Sequence, residues 1–162
     1  VLSTDARLAG PAKTDDEDDT EESMRTDDHP LVREAPPGGL AHRFATALAG
    51  RDAAALRELF GREVDFRGLT PGRGWAASSA DALIDDVLLG SWFEPGDLIQ
   101  RIEWTREDRV GPRLSIGYRL RGRNAGGPFA VAQQGFCELT DGKITWLRLL
   151  CSGFVPVTET NA

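Results

Sequence analysis

Several residue types that carry chemistry are scarce in this chain of 162 residues. It has two histidines, two cysteines, one tyrosine and one methionine. Two cysteines, Cys137 and Cys151, cannot form a disulfide framework or a four-ligand zinc site. No apolar run approaches the length of a membrane span, so no membrane partner is expected. The polar, acidic N-terminus is neither a secretory signal nor an Arg-rich transit peptide, which leaves the cytoplasm as the expected location. His29 lies in that N-terminal segment and His42 falls off the apolar stripe of its helix, so neither is placed for general acid–base work. No metal or other cofactor is expected.

The net charge of −7 is confined to one end. Residues 1–39 hold eleven acids against four bases, and residues 40–162 hold fifteen of each. A near-neutral folded part lacks the basic field that nucleic-acid binding requires. Residues 1–39 read as a disordered acidic tail: the run from Asp15 to Glu22 has nothing apolar to bury, and Pro30, Pro36, Pro37, Gly38 and Gly39 interrupt any helix. A calcium loop counted from Asp15 fails, because its sixth and twelfth positions hold Thr20 and Thr26 instead of Gly and Glu. The first residue is Val1, and Met24 is a candidate start, in which case residues 1–23 would be non-native.

From Leu40 the pattern becomes regular. Leu40, Phe44, Ala47 and Leu48 recur at helical spacing, and Gly50 closes that helix. Asp52 caps a second helix that buries Leu56, Leu59 and Phe60. A short strand at 64–69 and a Pro/Gly loop at 70–74 follow. Ser78-Ser79-Ala80-Asp81 has the form of a capping box opening a third helix, with Leu83, Ile84, Val87 and Leu88 on one face. The rest reads as strand: 98–107, then Leu114, Ile116, Tyr118 and Leu120 alternating with polar residues, then 128–140 and 143–155 joined by Asp141-Gly142. The sum is an α+β fold with three early helices on one face of a curved, mainly antiparallel sheet.

This order resembles the nuclear transport factor 2-like superfamily, including SnoaL-like cyclases and ketosteroid isomerases. The resemblance rests on residues 40–60 with Gly50-Arg51-Asp52, on 64–88, and on Cys137-Glu138-Leu139-Thr140-Asp141-Gly142-Lys143-Ile144. It covers about residues 40–157, leaving 158–162 as a short tail. The resemblance implies a cone-shaped α+β barrel of cystatin-like kind, a small-molecule cavity and a homodimer through the outer sheet face. Ketosteroid isomerases hold an oxyanion with a tyrosine and a protonated aspartic acid and move the proton with a second aspartate. Those positions fall here on Phe44, on Gln134 or Gly135, and on Gly68, so all three roles are unfilled. The Arg-Asp pairing of limonene-type epoxide hydrolases is also missing, since Arg119-Leu120-Arg121 offers no carboxylate.

A two-residue turn at Asp141-Gly142 sets Thr145 opposite Glu138, Leu147 opposite Phe136, Leu149 opposite Gln134 and Cys151 opposite Ala132. The resemblance points that side toward the cavity. Phe44, Trp75, Tyr118, Gln134, Phe136, Leu149 and Cys151 are therefore the expected pocket, with core packing or a lid after a loop as the alternatives for Trp75. Asp65 is a candidate base, against a solvated ion pair with Arg67 on the same strand face, and Tyr118 a candidate acid, against plain core packing. Trp146, Leu150, Val131 and Leu139 are assigned to the outer, dimerising face, along with Cys137, so both thiols are expected to be free. Two further patterns are set aside. Gly72-Arg73-Gly74-Trp75-Ala76-Ala77 mimics a dinucleotide fingerprint but no parallel strand is expected after it. Arg119, Arg121 and Arg123 form a basic stripe on a solvated strand face, within reach of the acidic tail.

The expected function is thus a small-molecule-binding SnoaL-like domain without the isomerase residues. The competing expectation is a cyclase, dehydratase or isomerase for a compact apolar substrate.

Overall fold

The computed structural model describes residues 34–159. The acidic run, Met24 and His29 lie outside those residues. Two short helices open the fold, α1 (Leu40–Ala49) and α2 (Ala53–Leu59). Strands β1 (Phe60–Thr70) and β2 (Arg73–Ser79) precede the third helix, α3 (Ala82–Trp92). Five strands complete it: β3 (Leu98–Val110), β4 (Arg113–Asn124), β5 (Gly127–Thr140), β6 (Lys143–Cys151) and β7 (Val155–Pro156). The sheet order is β2-β1-β6-β5-β4-β3, with β7 added to β5. Every pair is antiparallel except β1 with β6. The result is a curved, open sheet with helices on one side, an α+β fold of cystatin-like kind.

Local chemistry fixes the helices where the sequence places them. The Asp52 carboxylate accepts the Ala55 N–H at 2.9 Å, capping α2. Gly39 offers α1 no side-chain cap, and the Ala41 N–H is met instead by Glu107 of β3 at 3.0 Å. That carboxylate sits at the positive end of the helix, where its charge is favoured. Arg51, with φ of 51°, donates to the carbonyls of Phe93 and Leu89, the latter at 3.0 Å, so it ties the first helical pair to the end of α3. The buried face of α3 is Leu83, Ile84, Val87, Leu88 and Trp92, as the spacing predicts. α3 itself is wound as a π-helix: the Phe93 N–H reaches back five residues, to Leu88.

Two features depart from the sequence reading. The stretch read as a loop and capping box is strand β2, an edge strand paired with β1, and α3 begins only at Ala82. Ser79 still serves the helix, since its hydroxyl accepts the Ala82 N–H at 3.2 Å. The second departure is a β-bulge. Leu139 pairs with Ile144, but Glu138 pairs with Trp146, so Thr145 is an extra residue on β6. From there onward β5 is displaced by one position against β6. Cys137 faces Leu147, Gly135 faces Leu149 and Gln133 faces Cys151. One residue of slip exchanges the two faces of a strand. Val131 and Cys137 are therefore buried on the helix side, and Gln134 and Phe136 lie on the outer side. Both cysteines are free, as expected, but they share a face, with Cys151 four residues beyond the partner of Cys137.

Candidate functional site

The helix-facing side of the sheet is a packed aromatic interior. Phe44 of α1 stacks on Tyr118 of β4 with centroids 5.6 Å apart and meets Phe60 edge-on at 5.7 Å. Trp92 contacts Phe66 and Trp75 edge-on, and Phe154 bridges Phe93 and Phe129. Of the positions aligned with the isomerase groups, Phe44, Gly68 and Gly135 face this interior and their space is taken, whereas Gln134, the alternative to Gly135, lies on the outer side. A Cβ placed on Gly68 would lie 2.7 Å from the Trp92 and Phe66 rings. On Gly135 it would lie 1.9 Å from the Arg148 carbonyl oxygen. Only glycine permits that approach.

One row of side chains carries what polarity this interior has. Thr105, Tyr118, Gln133 and Cys151 are successive partners across β3, β4, β5 and β6. Tyr118 is 0% exposed and Gln133 1%. The Tyr118 hydroxyl donates to the Gln133 carbonyl oxygen, while the Gln133 amide nitrogen has no protein partner. Burial, and secondarily Cys151, pushes the Tyr118 hydroxyl well above its ordinary value, so it stays a donor. Burial likewise raises the Cys137 thiol from 9.0 to about 12, with Glu107 adding to the rise and Arg109 opposing it.

The outer side is different in kind. An open groove of about 940 Å³ crosses β1, β6 and β5 there. One wall is the row Arg67, Arg148 and Phe136; the other is Leu69, Leu150 and Gln134. Leu69 is 56% exposed, Leu150 59% and Phe136 44%. Arg148 is held in place: it donates to the Asp65 carboxylate at 2.9 Å and the Asp65 carbonyl at 2.8 Å, and it lies over Trp146 at 4.4 Å. This bond, and more weakly Arg67, holds the Asp65 carboxyl below its ordinary value. Beyond the groove, Glu103 is ion-paired with three guanidiniums, those of Arg101, Arg119 and Arg121, at 2.7–3.2 Å. Arg123 pairs with Glu159, so the basic stripe is an ion-pair network.

The expected pocket therefore divides. Phe44, Tyr118, Leu149 and Cys151 are buried on the helix side, where they are core. Gln134 and Phe136 stand on the opposite face because of the bulge and line the groove there, which Trp75 and Leu149 border as well. Trp75 is no loop lid. It stands on β2 opposite Gly68, its indole N–H donating to the Thr70 hydroxyl at 2.8 Å and Arg73 stacked over its ring at 3.6 Å. Asp65 and Tyr118 are on opposite sides of the sheet and cannot act on one substrate. Sequence reasoning missed Gln133, whose neighbour Gln134 is singled out in its place; it names Arg67 only as a candidate beside Asp65, and it passes over Leu69. Their alternation with Val64, Phe66 and Gly68 was the available signal.

No family model and no curated protein sequence matches this chain. Solved structures do resemble it. A putative isomerase from Bacillus subtilis superposes with a TM-score of 0.56 at 14% identity, covering 66% of this chain and 79% of that one. An LEH-like epoxide hydrolase from M. tuberculosis gives 0.52 at 16% identity, covering 70% and 80%. A nuclear transport factor 2-like protein from Burkholderia thailandensis gives 0.52 at 16% identity, covering 70% and 88%.

Proposed function

From the nuclear transport factor 2-like fold of this chain, we propose that it is a small-molecule-binding domain of the SnoaL-like kind without isomerase chemistry. The observation that carries this reading is the groove on the outer sheet face, a concavity of ligand size with large apolar side chains exposed along it. The absence of isomerase groups at the matched positions supports the reading. Phe44 has no hydroxyl to donate, and Gly68 and Gly135 have neither a functional group nor room for one. The neighbours described as an isomerase and an epoxide hydrolase lend the fold and not their reactions. Native mass spectrometry of the purified chain checks the reading: a bound compound of discrete mass, released unchanged, is the expected result. A turned-over compound would instead favour the cyclase, dehydratase or isomerase alternative.

A second reading has its own observation. Leu69, Leu150 and Phe136 are adjacent and exposed, and Trp146 lies beside them, which is the composition of a face covered by another copy. A homodimer through this face would be the result, measured as twice the chain mass in sedimentation. No helix among the described residues is long and apolar enough to cross a membrane. Two free, buried thiols accord with the reducing cytoplasm as its location, which a fluorescent fusion would test.

A further inference from the structure

We propose that the outer-face groove is selective for an apolar anion, a carboxylate, sulfonate or phosphate on a hydrophobic body. Resting on the small-molecule reading above, this adds where the ligand sits and which chemistry it has. The site is the outer face of the sheet, because the helix-facing interior is filled by Trp92, Phe44 and Tyr118.

The charge preference follows from an imbalance along one wall. Arg67 and Arg148 are register partners on β1 and β6, and both line the groove. One carboxylate, Asp65, serves both. It is bonded to Arg148 at 2.9 Å and feels Arg67 only through its field. The wall therefore carries one positive charge more than it balances, and that charge belongs to Arg67. A neutral occupant would strip water from Arg67 and return nothing. An anion replaces that water with a charge-assisted pair, and the planar guanidinium suits the paired oxygens of a carboxylate, sulfonate or phosphate. The apolar body is specified by the opposite wall. Leu69 and Leu150 are register partners, and covering them removes two largely exposed leucines from water.

Fluorescence titration with two probes of one shape tests this: anilinonaphthalene sulfonate and neutral N-phenylnaphthylamine, on the full chain. The sulfonate is expected to bind at least about tenfold tighter. Arg67→Gln should erase that preference by weakening the sulfonate, with the neutral probe bound no more weakly than before. Arg67→Lys should retain part of it. Leu150→Asp should weaken both probes, with Leu69→Ser as the second variant if its melting curve departs from the parent's. Equal binding of the two probes, untouched by Arg67→Gln, overturns the charge selectivity and leaves the small-molecule reading standing. A sulfonate preference that survives Leu150→Asp and Leu69→Ser places the site elsewhere and overturns the inference. If neither probe binds, the inference also fails. A dimer that Leu150→Asp dissociates would then assign the groove to a second copy and remove the small-molecule reading with it.

Discussion

The two faces of one sheet have been put to opposite uses. On the helix side, Phe44, Gly68 and Gly135, positions that the resemblance to ketosteroid isomerases matches to catalytic groups, have rings or backbone in the space around them. On the outer side, leucines and a phenylalanine stand exposed around a groove with an unbalanced guanidinium. Normal practice for a soluble domain is to bury apolar surface and expose charge. The inner face obeys that rule so fully that little space remains for chemistry. The outer face breaks it, and such a breach is the mark of a surface that meets something.

The sharpest break of this contrast is to restore a catalytic group to the inner face. Gly68→Asp puts a carboxylate where the isomerase base would stand, against Trp92 and Phe66. Overpacking costs roughly 1–3 kcal/mol and the buried charge adds several more. A fall of roughly 10 °C or more in thermal midpoint is expected, with no isomerase activity gained. Trp92→Ala in the same chain should recover part of the loss, with a coupling of about 0.5–3 kcal/mol by double-mutant cycle. Additive losses would show that Trp92 does not fill the space at Gly68.

A smaller effect probes the polar row within that face. Gln133→Leu leaves the buried Tyr118 hydroxyl without its acceptor. An unsatisfied buried donor costs about 1–3 kcal/mol, measurable by denaturant titration. Adding Tyr118→Phe should return most of that loss, since replacing both partners by apolar groups is nearly neutral. No recovery would mean that the pair does more than satisfy itself.

Much of this contrast was legible in the sequence, and the illegible part has a definite cause. The stripe of α1, the Asp52 cap, the alternation in β4 and the Asp141-Gly142 turn are local signals, and each sets its element where expected. The bulge at Thr145 is not local. It depends on how β6 fits between β5 and β1, and nothing in Lys143-Ile144-Thr145-Trp146 announces an extra residue. That one residue moved Gln134 and Phe136 from the interior to the groove and moved Val131 and Cys137 the other way. β2 was hidden for a different reason. Its Gly, Ala and Ser residues have weak strand preference, and pairing with β1 overrides it.

Alkaline titration gives a test confined to the inner face. The Cys137 thiol is raised to about 12 in the fold, so the folded state keeps its proton longer than the unfolded chain does. Stability contributed by that proton is complete below about pH 9 and is lost as pH rises through the folded value. Tyr118, raised for the same reason of burial, acts in the same direction. Unfolding followed by circular dichroism should therefore begin above pH 9, and Cys137→Ala should move the transition to higher pH. An unchanged transition would assign alkaline unfolding to Tyr118 alone.

The smallest expected effect belongs to the outer face and is informative because it is small. Leu150 is more than half exposed, and its neighbours Leu69 and Gln134 are exposed too. A folded monomer gains little by burying it, so Leu150→Asp should change stability by no more than about 0.5 kcal/mol. The same substitution on the inner face, at Leu149 one residue away, removes a buried side chain and strands a carboxylate beside Gly68 and Gly135, with the Trp92 and Phe66 rings over Gly68. It should unfold the domain. Thermal melts of the two variants, measured at dilutions where any dimer dissociates, compare the faces at a separation of one residue. A large loss from Leu150→Asp that vanishes on dilution would show that a second copy covers the outer face. A large loss independent of concentration would mean that Leu150 is core, and the division of the sheet into a packed face and a binding face would fall.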